Sequence, residues 1–205
     1  TDIPYAGSKK AIRNGNSPGC RLKRRPLHIH LDQTEHTNMT QTIEQFGAAC
    51  HDILKQDSGP AGLEKVRQGL ENVLTDETIL ATYLGPDAES ERNILYEDPE
   101  LKFCIIAHVY KGAKNSAPHD HGPTWAIYGQ AAGTTEMTEY RMVQAPADGK
   151  PGKAEPVKTY EMTPGMATAY AIGQLHSPRR ESETRLIRIE GTNVKKITRA
   201  SYERA

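Results

Sequence analysis

The sequence has no net charge, no long apolar run and few cysteines. Lys+Arg and Asp+Glu both number 26 in 205 residues. That balance excludes a field that would gather nucleic acid or another polyanion over the whole surface. No stretch approaches the roughly 18 apolar residues of a transmembrane helix, and the first residues lack the charged-then-apolar order of a secretory signal. The three cysteines, Cys20, Cys50 and Cys104, are odd in number and have no C-x-x-C spacing. They argue against a disulfide framework or a cysteine-built zinc site, and for a reducing, cytoplasmic setting. A chain of this length makes one domain, or one domain plus a tail. What stands out is eight histidines, several of them clustered.

The neutral total hides an uneven distribution. Residues 1–26 hold seven bases (Lys9, Lys10, Arg13, Arg21, Lys23, Arg24 and Arg25) against one acid, Asp2, so the remainder carries an equal acidic excess. This segment is rich in Gly, Ser, Asn and Pro and has no apolar period. It reads as a basic extended arm over 1–39, loosely ordered or laid across its own acidic body. No aromatics interleave with its charges, which speaks against a nucleic-acid arm. The remaining 40–205 is expected to form a single domain.

From 40 to 85 the apolar residues recur with a helical period. Ile43, Phe46, Cys50, Ile53 and Leu54 form one face, and Leu63, Val66, Leu70, Val73 and Leu74 repeat it after a break at Gly59-Pro60. A third short helix carries Ile79, Leu80, Tyr83 and Leu84 and stops at Gly85-Pro86. Such faces pack against something, and a sheet is the expected partner. Beyond residue 90 the period becomes two. Segments 92–97, 101–111, 124–130, 134–143, 156–162, 166–172 and 184–190 read as strands separated by turn residues. Many short strands at regular spacing predict a mainly β sandwich or barrel, occupying 90–192.

Pro118-His119-Asp120-His121-Gly122-Pro123 is the most informative stretch. Two histidines at i and i+2 on a strand turn to the same face, so both imidazoles reach one ion. A third, His176, lies far along the chain in Gly173-Gln174-Leu175-His176-Ser177-Pro178. Two neighbouring ligands plus a distant one make a three-coordinate site with open positions. His28 and His30 also form an H-x-H, but no third ligand motif accompanies them; they read as outward residues of an edge strand, and His36 and His51 as surface residues. His108 and Tyr110 alternate against Ala107 and Val109 on the strand before the site and line a pocket. Cys104 and Ile106 share that face, so a purely structural role stays equally open.

These residues resemble the cupin family. The first cupin motif, G-x5-H-x-H-x3/4-E-x6-G, is met by His119, His121 and Gly133, and the second, G-x5-P-x-G-x2-H-x3-N, by Gly165, Gly173 and His176. The glutamate slot holds Ala126, the proline slot Ala171, the asparagine slot Arg180, and Ala113 replaces the first glycine. The resemblance implies a double-stranded β-helix (jelly-roll) barrel with the N-terminal helices packed outside. The missing glutamate leaves three neutral imidazoles as ligands; Glu136 is the nearest glutamate in sequence.

Among cupins, the three-histidine pattern is similar to the cysteine dioxygenase and thiol dioxygenase group, which binds Fe(II) in this way. Arg92-Asn93, Lys102-Phe103 and the strand ending in Tyr110 parallel that group's order ahead of His119, so the likeness spans roughly 40–192. It nominates Arg92 as the clamp for a substrate carboxylate, against the plain alternative of a surface ion pair. The group's crosslinking cysteine falls at Ala126, so that cofactor cannot form. Its Ser-x-His-x-Tyr relay falls at Leu186, Arg188 and Glu190, so that relay is absent. Arg188 becomes a second candidate for the anion, and Glu190 a residue that holds an arginine in place. Alternation puts Ala126 and Tyr128 toward the metal and Trp125 in the packing layer, unless a bulge at Gly122-Pro123 reverses this.

The resemblance thus implies an Fe(II)-dependent dioxygenase acting on a small carboxylate-bearing thiol with O2. The expected partners are that anionic small molecule and O2, with no nucleic acid and no membrane; a homo-oligomer stays open. Two other classes stand beside it. One is a three-histidine dioxygenase cleaving C–C bonds of an enolisable ketone or dicarbonyl. The other is a non-catalytic metal-binding cupin module.

Overall fold

Thr42 opens the first helix with a reciprocal cap: its hydroxyl accepts from Gln45 N, and Gln45 Oε1 accepts from Thr42 N. This is the start of the chain as the computed structural model describes it, over residues 42–205. The basic arm, Cys20, the His28–His30 pair and His36 lie outside the described residues. Helix α1 spans Ile43–Gln56 and α2 Pro60–Val73, with Pro60 in the first turn, where its missing N–H costs no hydrogen bond. Helix α3 spans Glu77–Leu84, capped by the Asp76 carboxylate, which accepts from Thr78 N and Ile79 N. Among the described residues no helix is long and apolar enough to cross a membrane.

Ten strands follow: β1 (Asn93–Glu97), β2 (Cys104–Tyr110), β3 (Lys114–Asn115), β4 (Ala126–Ala132), β5 (Thr135–Gln144), β6 (Gly152–Met162), β7 (Ala167–Tyr170), β8 (Leu175–Arg180), β9 (Thr184–Glu190) and β10 (Tyr202–Arg204). They form two five-stranded sheets, ordered β1-β2-β9-β4-β7 and β10-β6-β5-β8-β3. The pairings are antiparallel except β10 with β6. Side chains from both sheets meet inside, with Ala126, Tyr128, Tyr170 and Leu186 against Met137 and Met162. The mainly β barrel with N-terminal helices packed outside, expected from the family resemblance, is the architecture observed.

Alternation along the central strand β9 decides which side faces what. Ile187 and Ile189 face outward and join Ile105, Ala107, Val109 and Ile127 in an apolar layer. That layer is closed by Ile43, Phe46, Cys50, Val66, Leu70 and Leu74 of the helices. Gly129 lets the helix approach: a Cβ there would lie 2.8 Å from Leu70 Cδ2 and 2.9 Å from Leu74 Cδ1. On the opposite face of the same sheet lie Leu186, Arg188 and Glu190, across from His108, Ile106 and Cys104 of β2.

Several boundaries differ from the sequence reading. Strand β2 starts at Cys104, because Leu101 and Lys102 belong to a turn in which Asp98 accepts from Glu100 N and Leu101 N, with Lys102 at φ 64. Strand β8, which the period-two reading missed, contains Pro178. That proline fits because its carbonyl, and hence its missing N–H, faces the side covered only by the two-residue β3, where Ser116 N donates to Pro178 O. Strand β10 extends the barrel beyond residue 192. His51 is corrected from a surface reading: it is half-buried, and its Nδ1 lies 2.9 Å from Oδ2 of buried Asp98, tying α1 to the β1–β2 turn. Cys50 and Cys104 are both free and buried.

Leu70 is fully buried between α2 and the sheet. Leu70→Ala is expected to cost about 2–5 kcal/mol, read as a lower urea midpoint. The metal content of the folded fraction should not change, because the histidines lie on the sheet's other side.

Candidate metal centre

His119 and His176 are joined by backbone hydrogen bonds in both directions, His119 N to His176 O at 3.0 Å and His176 N to His119 O at 2.9 Å. This bridge fixes two histidines distant in sequence on one spot. His121 arrives differently. The expectation that His119 and His121 share a regular strand is corrected: His119 sits in an isolated bridge, and the chain turns directly after His121. The Asp120 carboxylate accepts from Gly122 N at 3.0 Å, and Gly122 has φ 65, a conformation that glycine adopts without steric cost. Asp120 is braced in turn from the C-terminal segment, by Tyr202 Oη to its carboxylate and Arg199 Nη1 to its carbonyl.

One potential ligand atom from each of His119, His121 and His176 lies within 4.8 Å of the other two. Among the described residues this group contains no carboxylate. Glu136 lies elsewhere, within ion-pair distance of Arg179, and Ala126 in the glutamate slot faces the barrel interior. His119 Nδ1 donates to Ala117 O and His176 Nδ1 to Gln174 O. A carbonyl can only accept, so these bonds put the proton on Nδ1 and leave Nε2 with a lone pair. Burial pushes all three below the ordinary histidine range, aided in His121 by His176 and in His176 by His119; His176 falls to about 3. Three neutral imidazoles, two of them with lone pairs oriented by backbone carbonyls, are a donor set that fits a divalent transition ion.

Tyr128 Oη stands beside these nitrogens, 3.1 Å from His121 Nε2 and 3.4 Å from His176 Nε2. Tyr128 is buried, which raises its pKa and keeps the phenol protonated. Tyr170 stacks on His176 at 3.8 Å between centroids, and its hydroxyl lies 2.7 Å from that of Tyr160. Tyr160 and Tyr170 were not singled out from the sequence; recognising β7 as facing β4 would have placed Tyr170 opposite Ala126. Trp125 packs on the helix side of the sheet, and Ala126 and Tyr128 face inward.

The remaining expected residues gather next to the histidines. Arg188 Nη1 is 3.4 Å from Tyr128 Oη, and its Nη2 pairs with Glu190 Oε1. Arg92 Nη2 is 3.0 Å from Glu190 Oε2 and 2.9 Å from Asn193 Oδ1. Glu190 is fully buried and holds both arginines. Asn193 is a partner the sequence reading did not identify. Arg92, His108, Tyr110 and Arg188 line a cavity of about 440 Å³, and His119 and Arg188 line another of about 620 Å³; Val194 and Arg199 border both. His108 Nδ1 donates to Glu91 O at 2.5 Å. Burial and then the Arg188 charge hold His108 well below its usual pKa. Its Nε2 is therefore a buried acceptor, and it has no hydrogen-bond partner.

No family model matches the chain, and no curated protein matches it. Solved structures similar to it include a cupin superfamily protein from Desulfitobacterium hafniense (8% identity, 52% of this chain and 84% of that one, TM-score 0.38). KdgF from a Halomonas species is similar at 13% identity, over 52% of this chain and 82% of its own, with TM-score 0.37. The cupin domain of Cnp3 from Schizosaccharomyces pombe has 12% identity, 51% and 66% coverage and TM-score 0.37.

Replacing any one of His119, His121 or His176 by alanine should strip most of the bound divalent metal, measured by elemental analysis after anaerobic purification. Full occupancy in all three single variants would remove the assignment. The pH dependence has a definite sign. The ordinary pKa is 6.5 and the folded values of His108, His119, His121 and His176 are lower. Their contribution is therefore intact above pH 6.5 and is lost as acid is added, because only the unfolded chain takes up the protons. Each histidine adds a slope of about 1.4 kcal/mol per pH unit. Urea midpoints of the metal-free protein should fall steadily from pH 7 to pH 4; a flat profile would contradict neutral, buried imidazoles.

Proposed function

We propose that the protein is an Fe(II)-dependent dioxygenase that converts a small carboxylate-bearing thiol to its sulfinic acid, RSH + O2 → RSO2H. The observation that carries this reading is the pairing of a three-histidine, carboxylate-free donor set with a half-buried arginine pair, Arg92 and Arg188, linked through one glutamate. An Fe(II) ion held by three neutral imidazoles keeps its dipositive charge and supplies redox chemistry with O2 and an attraction for an anionic donor.

The chain's own residues supply position and proton handling. In this reading Arg92 and Arg188 orient the substrate carboxylate by charge-assisted hydrogen bonds. Glu190 fixes both guanidiniums, and so limits the entropy lost when the carboxylate docks. His108 Nε2, neutral and unpartnered, offers a lone pair to hydrogen-bond the thiol S–H. The Tyr128 phenol, protonated and beside both His121 and Arg188, offers a hydrogen bond to charge developing near the histidines. Such an enzyme suits the reducing, cytoplasmic setting expected from the cysteines.

His108 also supports a second reading. A neutral acceptor facing a cationic pocket serves equally to hydrogen-bond the enol form of a ketone or dicarbonyl ahead of oxidative C–C cleavage.

The test is oxygen uptake by the iron-loaded protein with cysteine, 3-mercaptopropionate and related thiol acids, followed by product analysis. Sulfinate is the expected product. Arg92→Ala should raise KM about tenfold or more, the effect of losing one charged hydrogen bond, with a smaller change in kcat. Absence of oxygen consumption with every thiol would end the thiol reading and favour C–C cleavage. Turnover indifferent to Arg92→Ala would keep the reaction and remove Arg92 from it.

A further inference from the structure

Arg180 closes β8 on the same face as His176, because residues 176, 178 and 180 alternate to one side of the strand. Arg179, between them, is exposed and pairs with Glu181. Arg180 is only 3% exposed. Its guanidinium carbon lies 4.5 Å from the centre of the Tyr110 ring, so the side chain reaches the other sheet. Burial depresses its pKa, and Arg188 is close enough to oppose its charge further.

The charges around His108 do not balance. Three guanidiniums (Arg92, Arg180 and Arg188) share the region, and each acts on the His108 ring. The carboxylate among them is Glu190, which is ion-paired with both Arg92 and Arg188, its Oε1 making no hydrogen bond. Glu139 shares the face of His176 across the ladder, but it acts on Tyr160 and Tyr170. Among the described residues Arg180 has no carboxylate partner. Its Nε is buried without a hydrogen bond, as are Arg92 Nε, Arg188 Nε and His108 Nε2. Stacking on Tyr110 offsets part of the cost of burying this charge, and no more than part. Three unpartnered N–H donors on three guanidiniums, with one carboxylate shared between two of them, make an anion site with capacity beyond one carboxylate.

We infer that the barrel takes a small molecule with two anionic groups, one bound at the Arg92–Arg188 edge and the second by Arg180. This deepens the proposed function and rests on the same interior being the substrate site: the substrate class becomes a thiol carrying two acidic groups. Arg180 then determines specificity, rejecting singly charged analogues because they leave its guanidinium buried and uncompensated.

Redox-inert probes and the metal-free full chain test this independently of any turnover. Malonate and succinate, against acetate and propionate, are titrated by calorimetry in a buffer without competing anions. The dianions should bind about tenfold tighter or more, the effect of one added charge-assisted contact. In Arg180→Gln that advantage should vanish while acetate affinity is unchanged, and Arg180→Lys should restore most of it. Equal affinity for mono- and dianions in the wild type overturns the inference without any variant, which covers the case in which Arg180→Gln does not fold. A dianion advantage that survives Arg180→Gln overturns it as well. Because neither metal nor thiol is present, failure here leaves the dioxygenase reading standing, and failure of thiol turnover leaves this result unaffected.

Discussion

Strand β9 tolerates one register only. It is paired on both sides, by β2 and β4, and its two faces differ completely. A slip of one residue would drive Arg188 and Glu190 into the apolar layer beneath the helices and turn Ile187 and Ile189 into the polar interior. Both errors are costly, one by burying charges among hydrocarbon and the other by stripping the arginines of their glutamate. The helices, the barrel and the arginine network therefore depend on the same alternation.

That constraint explains why a polar interior survives inside a folded barrel. The outer face of the β9 sheet supplies apolar burial against α1 and α2, so the inner face is free to hold histidines, tyrosines and arginines. Glu190 stabilises two of the arginines, and Tyr128 links one of them to the histidine group. The barrel is stable because of its outside and specific because of its inside.

The histidine group depends on backbone geometry more than on strand regularity. The two hydrogen bonds between His119 and His176 set one side, and the turn at Gly122, braced through Asp120 by Arg199 and Tyr202, sets the other. The C-terminal segment thus acts on the site without entering it. Nothing in its sequence signalled this, since a short strand pairing in parallel with a distant one leaves no local pattern.

By itself the sequence determined the three helices, most strands, the barrel and the three histidines. Those features are written in local periods of 3.6 and 2 and in short motifs, which depend on neighbours along the chain. It did not reveal β8, because Pro178 and two arginines break the strand pattern, and with β8 unseen Arg180 could not be placed beside His176. It also left open whether Arg92 was a clamp or an ordinary ion pair, and on which face His108 stood. Only the tertiary structure placed Arg92 against Glu190 and turned His108 to the inner face. The pairing of Glu190 with Arg92, 98 residues away, and the stacking of Arg180 on Tyr110 of the facing sheet, bring together segments far apart in the chain. Local sequence cannot encode a charge balance that exists only once both sheets have closed.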